Sequence, residues 1–222
     1  MGRQISNSFA PATSAKTAAM GVGIAFLISV FIVTLVDDVL LANFVVPGDT
    51  SALAHDIEAS PKMLVFASIG YLAVLILDSI IGLGLYVVLK PANRRLAALI
   101  GALRLLYAGA LMIGVFALLF QMIDVYDYAA IKDVGYIFFA SHIFLLGYVI
   151  FVSGYIPRLF GVLLIIASLT YAVFFIDIQL PEYALVLIMV TMAVAEGALF
   201  IWLLKKRNSL PVTCPRDITG TA

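Results

Sequence analysis

Long apolar runs, most of them interrupted by a single ionisable residue or by none, dominate the pattern of this chain. Several are about 20 residues long, the length that an α-helix needs to cross a hydrocarbon layer of about 30 Å. Strands of a transmembrane barrel would be about 10 residues long and strictly alternating, and no such alternation occurs. The pattern therefore predicts an all-α membrane protein, a six-transmembrane-helix bundle. The predicted spans are residues 17–41, 63–89, 96–123, 134–155, 159–178 and 183–204.

Polar tails flank this predicted transmembrane domain of residues 17–204. Residues 1–16 form the N-terminal tail, and residues 205–222 form a C-terminal tail with two prolines. With both tails inside the cell, the inner segments carry ten of the 13 basic residues, the asymmetry typical of cytoplasmic loops. We therefore expect a multi-pass protein of the cell (inner) membrane with both termini cytoplasmic. The inner basic residues are Arg3, Lys16, Lys90, Arg94, Arg95, Arg158, Lys205, Lys206, Arg207 and Arg216.

Composition agrees with a membrane protein and excludes several other classes. The chain is 64% hydrophobic and 12% charged, whereas soluble domains average roughly 45–50% and 25%. A formal net charge of zero provides no field that would favour nucleic acid, so we expect membrane lipids rather than nucleic acid as partners. The single cysteine, Cys214, forms no intramolecular disulfide, and only two histidines are present. No metal site and no cofactor are predicted.

Three stretches of the sequence resemble a known family. They are VVPGDTSALAHDIEASPKM, then GLGLYVVLKPANRRLAALIGALRLLYA, and then HIFLLGYVIFVSGYIPRLFGVLLIIASLTYA. Together they are similar to the bacterial family called domain of unknown function 4386, over most of residues 20–204. This resemblance implies a six-helix integral membrane protein. The family has no established reaction, so the resemblance assigns no catalytic residue.

Three ionisable residues lie inside the apolar runs. Arg104 is flanked by uncharged sequence over residues 96–122, and an arginine in hydrocarbon costs at least about 2.5–3.5 kcal/mol on insertion scales. At about 1.5 Å per residue, Arg104 and Glu196 lie about 12 Å, and Asp78 about 16 Å, from the inner ends of their helices. If helices two, three and six are neighbours, these residues can form one cluster, with Tyr107 on the same helix face as Arg104.

A count of charges within this cluster gives a second expectation. One arginine facing two carboxylates leaves one negative charge unbalanced, so we expect one of Asp78 and Glu196 to be protonated at neutral pH.

A second polar group is predicted nearer the outer surface. Asp37 and Asp38 end the first span, Gln121 lies near the end of the third, and His142 lies about 12 Å below the outer surface when depth is counted from residue 134. Either aspartate could orient His142 by a hydrogen bond, or both could simply face outer water. A metal site there would lack a third clear ligand.

The sequence leaves several functions open for the inner cluster. It could be a structural brace between helices, or Asp78, Arg104, Tyr107 and Glu196 could bind a lipid headgroup or a small anion. Alternatives are a proton-coupled small-molecule transporter, an accessory subunit and an intramembrane enzyme. With six helices and no evident repeat, a transporter would need to form a homo-oligomer. The chain contains no Ser-His-Asp order, HExxH motif or multi-histidine pattern, which favours a protein without catalysis.

Overall fold

The computed structural model describes residues 15–36, 61–171 and 182–210. Within these ranges all regular secondary structure is helical. A short 3₁₀ turn, Arg207–Ser209, follows the last α-helix. The α-helices are α1 (Ala15–Thr34), α2 (Pro61–Leu89), α3 (Arg94–Leu119), α4 (Val125–Ser153), α5 (Arg158–Tyr171) and α6 (Glu182–Lys206).

Local sequence signals set the ends of these helices. The Asn93 side chain accepts a hydrogen bond of 3.0 Å from the Leu96 amide and caps α3, and Asp124 caps α4 by accepting one of 2.8 Å from Asp127 N–H. Such side chains satisfy backbone donors that have no partner within the helix. Gly154, with φ of 77°, ends α4 in the left-handed conformation that glycine adopts without strain.

The six α-helices form a closed ring of neighbours. Each helix packs against the next one along the chain, and α1 packs against α6. In the described part of the chain, α6 lies against α1 and α5 and has no backbone contact with α2 or α3. The middle of this helix ring is therefore a shared interior that side chains from opposite helices can reach.

The outside of the helix ring is apolar, as expected for a surface that faces lipid. Large side chains such as Phe31, Ile113 and Leu169 are 63–70% exposed, whereas Asp78, Arg104 and Glu196 are buried. This distribution is the reverse of that in soluble proteins. Among the described residues, four helical stretches are long and apolar enough to cross a membrane. They are Ala15–Thr34, Leu64–Leu89, Arg94–Leu119 and Val125–Ser153.

Some helix bounds differ from the predicted spans. Helix α4 begins at Val125 rather than at residue 134, because Asp124 caps it and the first turns tolerate charged residues outside the apolar core. Helix α6 continues to Lys206, beyond the predicted end at residue 204, because basic residues are favourable at a helix C-terminus. Residues 37–41 and 172–178 of the predicted spans, and tail residues 1–14 and 211–222, lie outside the described residues.

Candidate functional site

The centre of the helix ring holds an ion pair between α2 and α3. Arg104 donates from Nε to Oδ1 of Asp78 at 3.1 Å, and its Nη2 forms a second, shorter contact with the same oxygen. The two residues are only 3% and 5% exposed. The pair is charge-assisted and removed from water. Loss of either partner would therefore destabilise the α2–α3 contact much more than loss of a surface ion pair, because an unpaired charge would stay buried.

His142 on α4 forms the next contact with Arg104. Arg104 Nη1 lies 3.3 Å from His142 Nε2, and His142 Nδ1 lies 2.8 Å from the carbonyl oxygen of Ile100. A carbonyl oxygen can only accept, so Nδ1 carries the hydrogen and Nε2 accepts from Arg104. His142 is fully buried, and these two bonds assign it the neutral tautomer protonated on Nδ1.

The second carboxylate comes from α6, on the other side of the interior. Glu196 Oε2 lies 3.9 Å from Arg104 Nη1, which is within ion-pair range but too long for a hydrogen bond. The sequence left open whether helix six adjoins helices two and three, and among the described residues α6 has no backbone contact with either. The Glu196 side chain reaches Arg104 across the ring interior instead.

A layer of aromatic rings covers Arg104 and its partners on one side. The Arg104 Cζ atom lies 5.2 Å from the ring centre of Phe139, in a cation–π contact. Tyr107 and Tyr171 pack on Phe139, with ring centres 4.7 and 5.3 Å away, and Tyr136 stacks on Tyr107 at 6.3 Å. The layer lies toward the end of the ring where α3 finishes and α4 begins.

Glycines allow α2 and α3 to approach closely beside the ion pair. A Cβ atom on Gly82 would lie 3.3 Å from the Gly101 carbonyl oxygen and 3.3 Å from Arg104 Cβ. A Cβ atom on Gly101 would lie 3.0 Å from the Gly82 carbonyl oxygen. Small residues at such crossings let helix backbones pack tightly within membranes.

The structure brings only part of the predicted second polar group to this site. His142 contacts Arg104. Gln121 is exposed, with φ of 56° in the turn that ends α3. Asp37 and Asp38 lie outside the described residues, so their predicted contact with His142 stays a prediction.

The sequence grouped His142 with the outer residues because its depth was counted from the outer end of the predicted span, at residue 134. Counted from the other end of α4 at Ser153, His142 lies about 16 Å deep, and Arg104 lies about 15 Å from the start of α3 at Arg94. These ends lie on the same side of the ring, so the two side chains are level. Counting from the inner end of α4 would have placed His142 level with Arg104. No sequence signal identified Phe139 as the ring over Arg104.

Arg104 has no free donor nitrogen in this arrangement. Nε and Nη2 contact Asp78, and Nη1 contacts His142. No group of three or more histidine, cysteine, aspartate or glutamate residues that could hold a metal ion occurs among the described residues. We will call Asp78, Arg104, His142 and Glu196 the charge network; its contacts are suited to linking helices.

Comparison with known proteins covers the same helices. The family described as Domain of unknown function (DUF4386) matches residues 21–123 and 117–206. An uncharacterized protein of Archaeoglobus fulgidus is 32% identical over 123 residues, which amount to 55% of this chain and 74% of the relative. No solved structure matches the chain. The family match includes all four residues of the charge network, and none of these descriptions names an activity.

Proposed function

The chain belongs to the domain-of-unknown-function 4386 family, whose description names no reaction. We propose that the protein is a multi-pass membrane protein and that its charge network is a structural brace for the helix ring. The network draws on α2, α3, α4 and α6. It thereby connects α6 to helices with which it has no backbone contact in the described part of the chain. Such a brace requires neither substrate nor cofactor.

The observation that carries this proposal is the full set of partners around Arg104. Each guanidinium nitrogen contacts a protein atom, Phe139 covers Cζ, and the residue is 3% exposed. A headgroup or small anion would have to displace Asp78 or His142 to reach it. The geometry therefore favours the brace over anion binding at Arg104.

We place this protein in the cell membrane with the basic end of the helix ring in the cytoplasm. The basic end is defined by Lys16, Lys90, Arg94, Arg95, Arg158, Lys205, Lys206 and Arg207. In the described ranges, Asp124, Asp127 and Asp133 lie toward the opposite end, at the start of α4. The positive-inside rule supports this orientation, and both chain termini would then be cytoplasmic.

The experiment that tests the brace compares one variant with its compensated form. Arg104→Met removes the arginine and leaves two buried carboxyl groups without their cation, which should cost about 3–5 kcal/mol. A triple variant, Arg104→Met with Asp78→Leu and Glu196→Met, replaces the ions by apolar side chains and should recover most of that loss. Thermal unfolding of the purified full chain in detergent measures both.

Arg94→Met provides the matched control, since Arg94 is exposed at the start of α3. It should unfold at nearly the wild-type temperature. If the triple variant unfolds as early as Arg104→Met, the residues have a role other than bracing, and the proposal fails.

A second candidate, proton-coupled transport, is favoured by the distance between Glu196 and Arg104, which is too long for a hydrogen bond. Its carboxylate lies 3.9 Å from Arg104 Nη1, and that nitrogen also contacts His142. Asp78 already balances the arginine charge, so Glu196 is the carboxyl group that could hold and release a proton. In this function, loss of the proton would strengthen the attraction of α6 for Arg104 and move α6 toward α3.

Infrared spectroscopy tests this second candidate directly. Wild-type protein in lipid should show a protonated-carboxyl band that shifts in deuterated buffer and is lost in Glu196→Gln. Asp133→Asn, which changes an exposed carboxylate at the start of α4, should keep the band. A band that survives both Glu196→Gln and Asp78→Asn would eliminate this candidate.

A further inference from the structure

A shallow groove opens at the basic end of the helix ring, beside the turn that joins α4 to α5. Its volume is about 450 Å³. The groove shares no residue with the charge network. It is lined by Gly154, Tyr155, Ile156, Pro157 and Arg158 of the turn and by Trp202 of α6.

The walls of this groove are anchored to the helices around it. The Tyr155 hydroxyl donates a hydrogen bond of 2.9 Å to the carbonyl oxygen of Val88, at the end of α2. Ile156 is buried, and the Trp202 ring packs on Phe160 with a centre-to-centre distance of 5.9 Å. The shape of the groove is therefore set before a ligand arrives, which reduces the ordering cost of binding.

The groove is positively charged. Arg158 is exposed at its edge, with Cζ 5.7 Å from the ring centre of Phe151, so the aromatic ring holds the guanidinium near the groove. Helix α5 begins at Arg158, and the positive end of its dipole adds to the charge. Among the described residues, the basic end carries no carboxylate that would oppose an anion.

The immediate surroundings of the groove are apolar and exposed. Val152 and Leu159 flank the lining turn in sequence and are 54% and 65% exposed. Trp202 lies about 6 Å from the end of α6 at Lys206, the depth at which tryptophan usually occupies a membrane interface. A ligand that fits both features has an anionic head and an apolar body.

We propose that this groove binds the phosphate headgroup of an anionic phospholipid. Arg158 supplies the cation, Trp202 packs against the glycerol region, and the acyl chains extend along the exposed apolar side chains of α4 and α5. Basic pockets between transmembrane helices commonly hold anionic headgroups in this way. The lipid would connect α4, α5 and α6 at the basic end, independently of the brace at the ring centre.

Native mass spectrometry of the full chain tests this site. Protein extracted from vesicles of equal parts phosphatidylglycerol and phosphatidylcholine should retain phosphatidylglycerol preferentially. Arg158→Gln should lower the retained phosphatidylglycerol about fivefold, the effect of one basic residue near an anionic surface. Arg95→Gln is the matched control, because Arg95 is exposed at the same end and does not line the groove. It should retain the lipid as wild type does.

Three results would overturn the proposal. Equal retention of the two lipids by the wild type would mean that no anionic headgroup is selected. An equal loss in Arg95→Gln and Arg158→Gln would assign the effect to surface charge in general. Displacement of the lipid by millimolar inorganic phosphate would make the groove a site for free anions.

A second measurement needs no variant. Phosphatidylglycerol carrying a photoactivatable group at its headgroup should label the peptide containing residues 154–158 or the peptide containing Trp202 in wild-type protein. Labelling found only elsewhere would equally overturn the site. Neither outcome depends on the charge network, so failure here leaves the brace proposal unaffected.

Discussion

The α2–α3 and α4–α5 helix pairs are both packed through glycines, yet only α2–α3 also has a buried ion pair across its contact. In α4–α5, a Cβ atom on Gly161 would lie 2.7 Å from the carbonyl oxygen of Gly147 and 2.8 Å from the amide nitrogen of Phe151. In α2–α3, Gly82 and Gly101 make a similar but looser contact. The α2–α3 contact also contains the buried Arg104, which donates hydrogen bonds to Asp78 on the neighbouring helix.

The difference shows that glycine contacts and the charge network act over different distances. A glycine contact works only where two backbones touch, so it fixes a pair of adjacent helices. The charge network reaches α4 and α6 as well as α2 and α3, because long side chains extend into the ring interior. We therefore expect glycine substitutions to act locally and substitutions in the network to affect the whole ring.

The largest effect on this comparison is expected from Asp78→Leu. It leaves Arg104 in the interior with one neutral histidine contact and a carboxylate at 3.9 Å. Removing one partner of a buried ion pair costs about 3–5 kcal/mol. Thermal unfolding in detergent should show a large decrease in unfolding temperature, and Asp133→Leu, at an exposed position, should show little. Similar decreases for both would refute a special role of the ion pair.

A smaller effect is expected from Gly161→Ala. The added methyl group must fit against backbone atoms of α4, which cannot rotate away as a side chain could. Overpacking of this kind costs about 1–3 kcal/mol. Gly109→Ala is the control, because a Cβ atom there meets no atom within 4 Å. Equal unfolding temperatures for the two variants would show that the α4–α5 contact is less tight than described.

The smallest effect is expected from Glu196→Gln. Its carboxylate is too far from Arg104 for a hydrogen bond, so little direct bonding is lost, and the change should cost about 1 kcal/mol or less. Comparison with Asp78→Leu shows which of the two carboxylates contributes more to the stability of the protein. If Glu196→Gln destabilises the protein as much as Asp78→Leu does, the two carboxylates share the arginine equally and α6 is held as firmly as α2.

Much of the charge network could be predicted from single residues. Arg104 stands alone in an apolar run, and a buried charge needs a partner, so Asp78 and Glu196 were the candidates. The sequence grouped His142 with the outer residues because its depth was counted from residue 134, whereas its ring contacts Arg104 and the carbonyl oxygen of Ile100. The contact of Phe139 with Arg104 depends on how α3 and α4 rotate against each other, which hydrophobic pattern alone leaves open.

By itself, the sequence determined that this is a helical protein with segments long and apolar enough to cross a membrane, that it belongs to its family, and that a charged side chain inside it needs a partner. These properties follow from hydropathy, helix length and the cost of an unpaired charge in an apolar medium. Tertiary structure alone decided that α6 closes the ring against α1 and that its glutamate crosses the interior. The reason is that helix order in a ring depends on packing between surfaces, whereas apolar surfaces of similar composition look alike in a sequence.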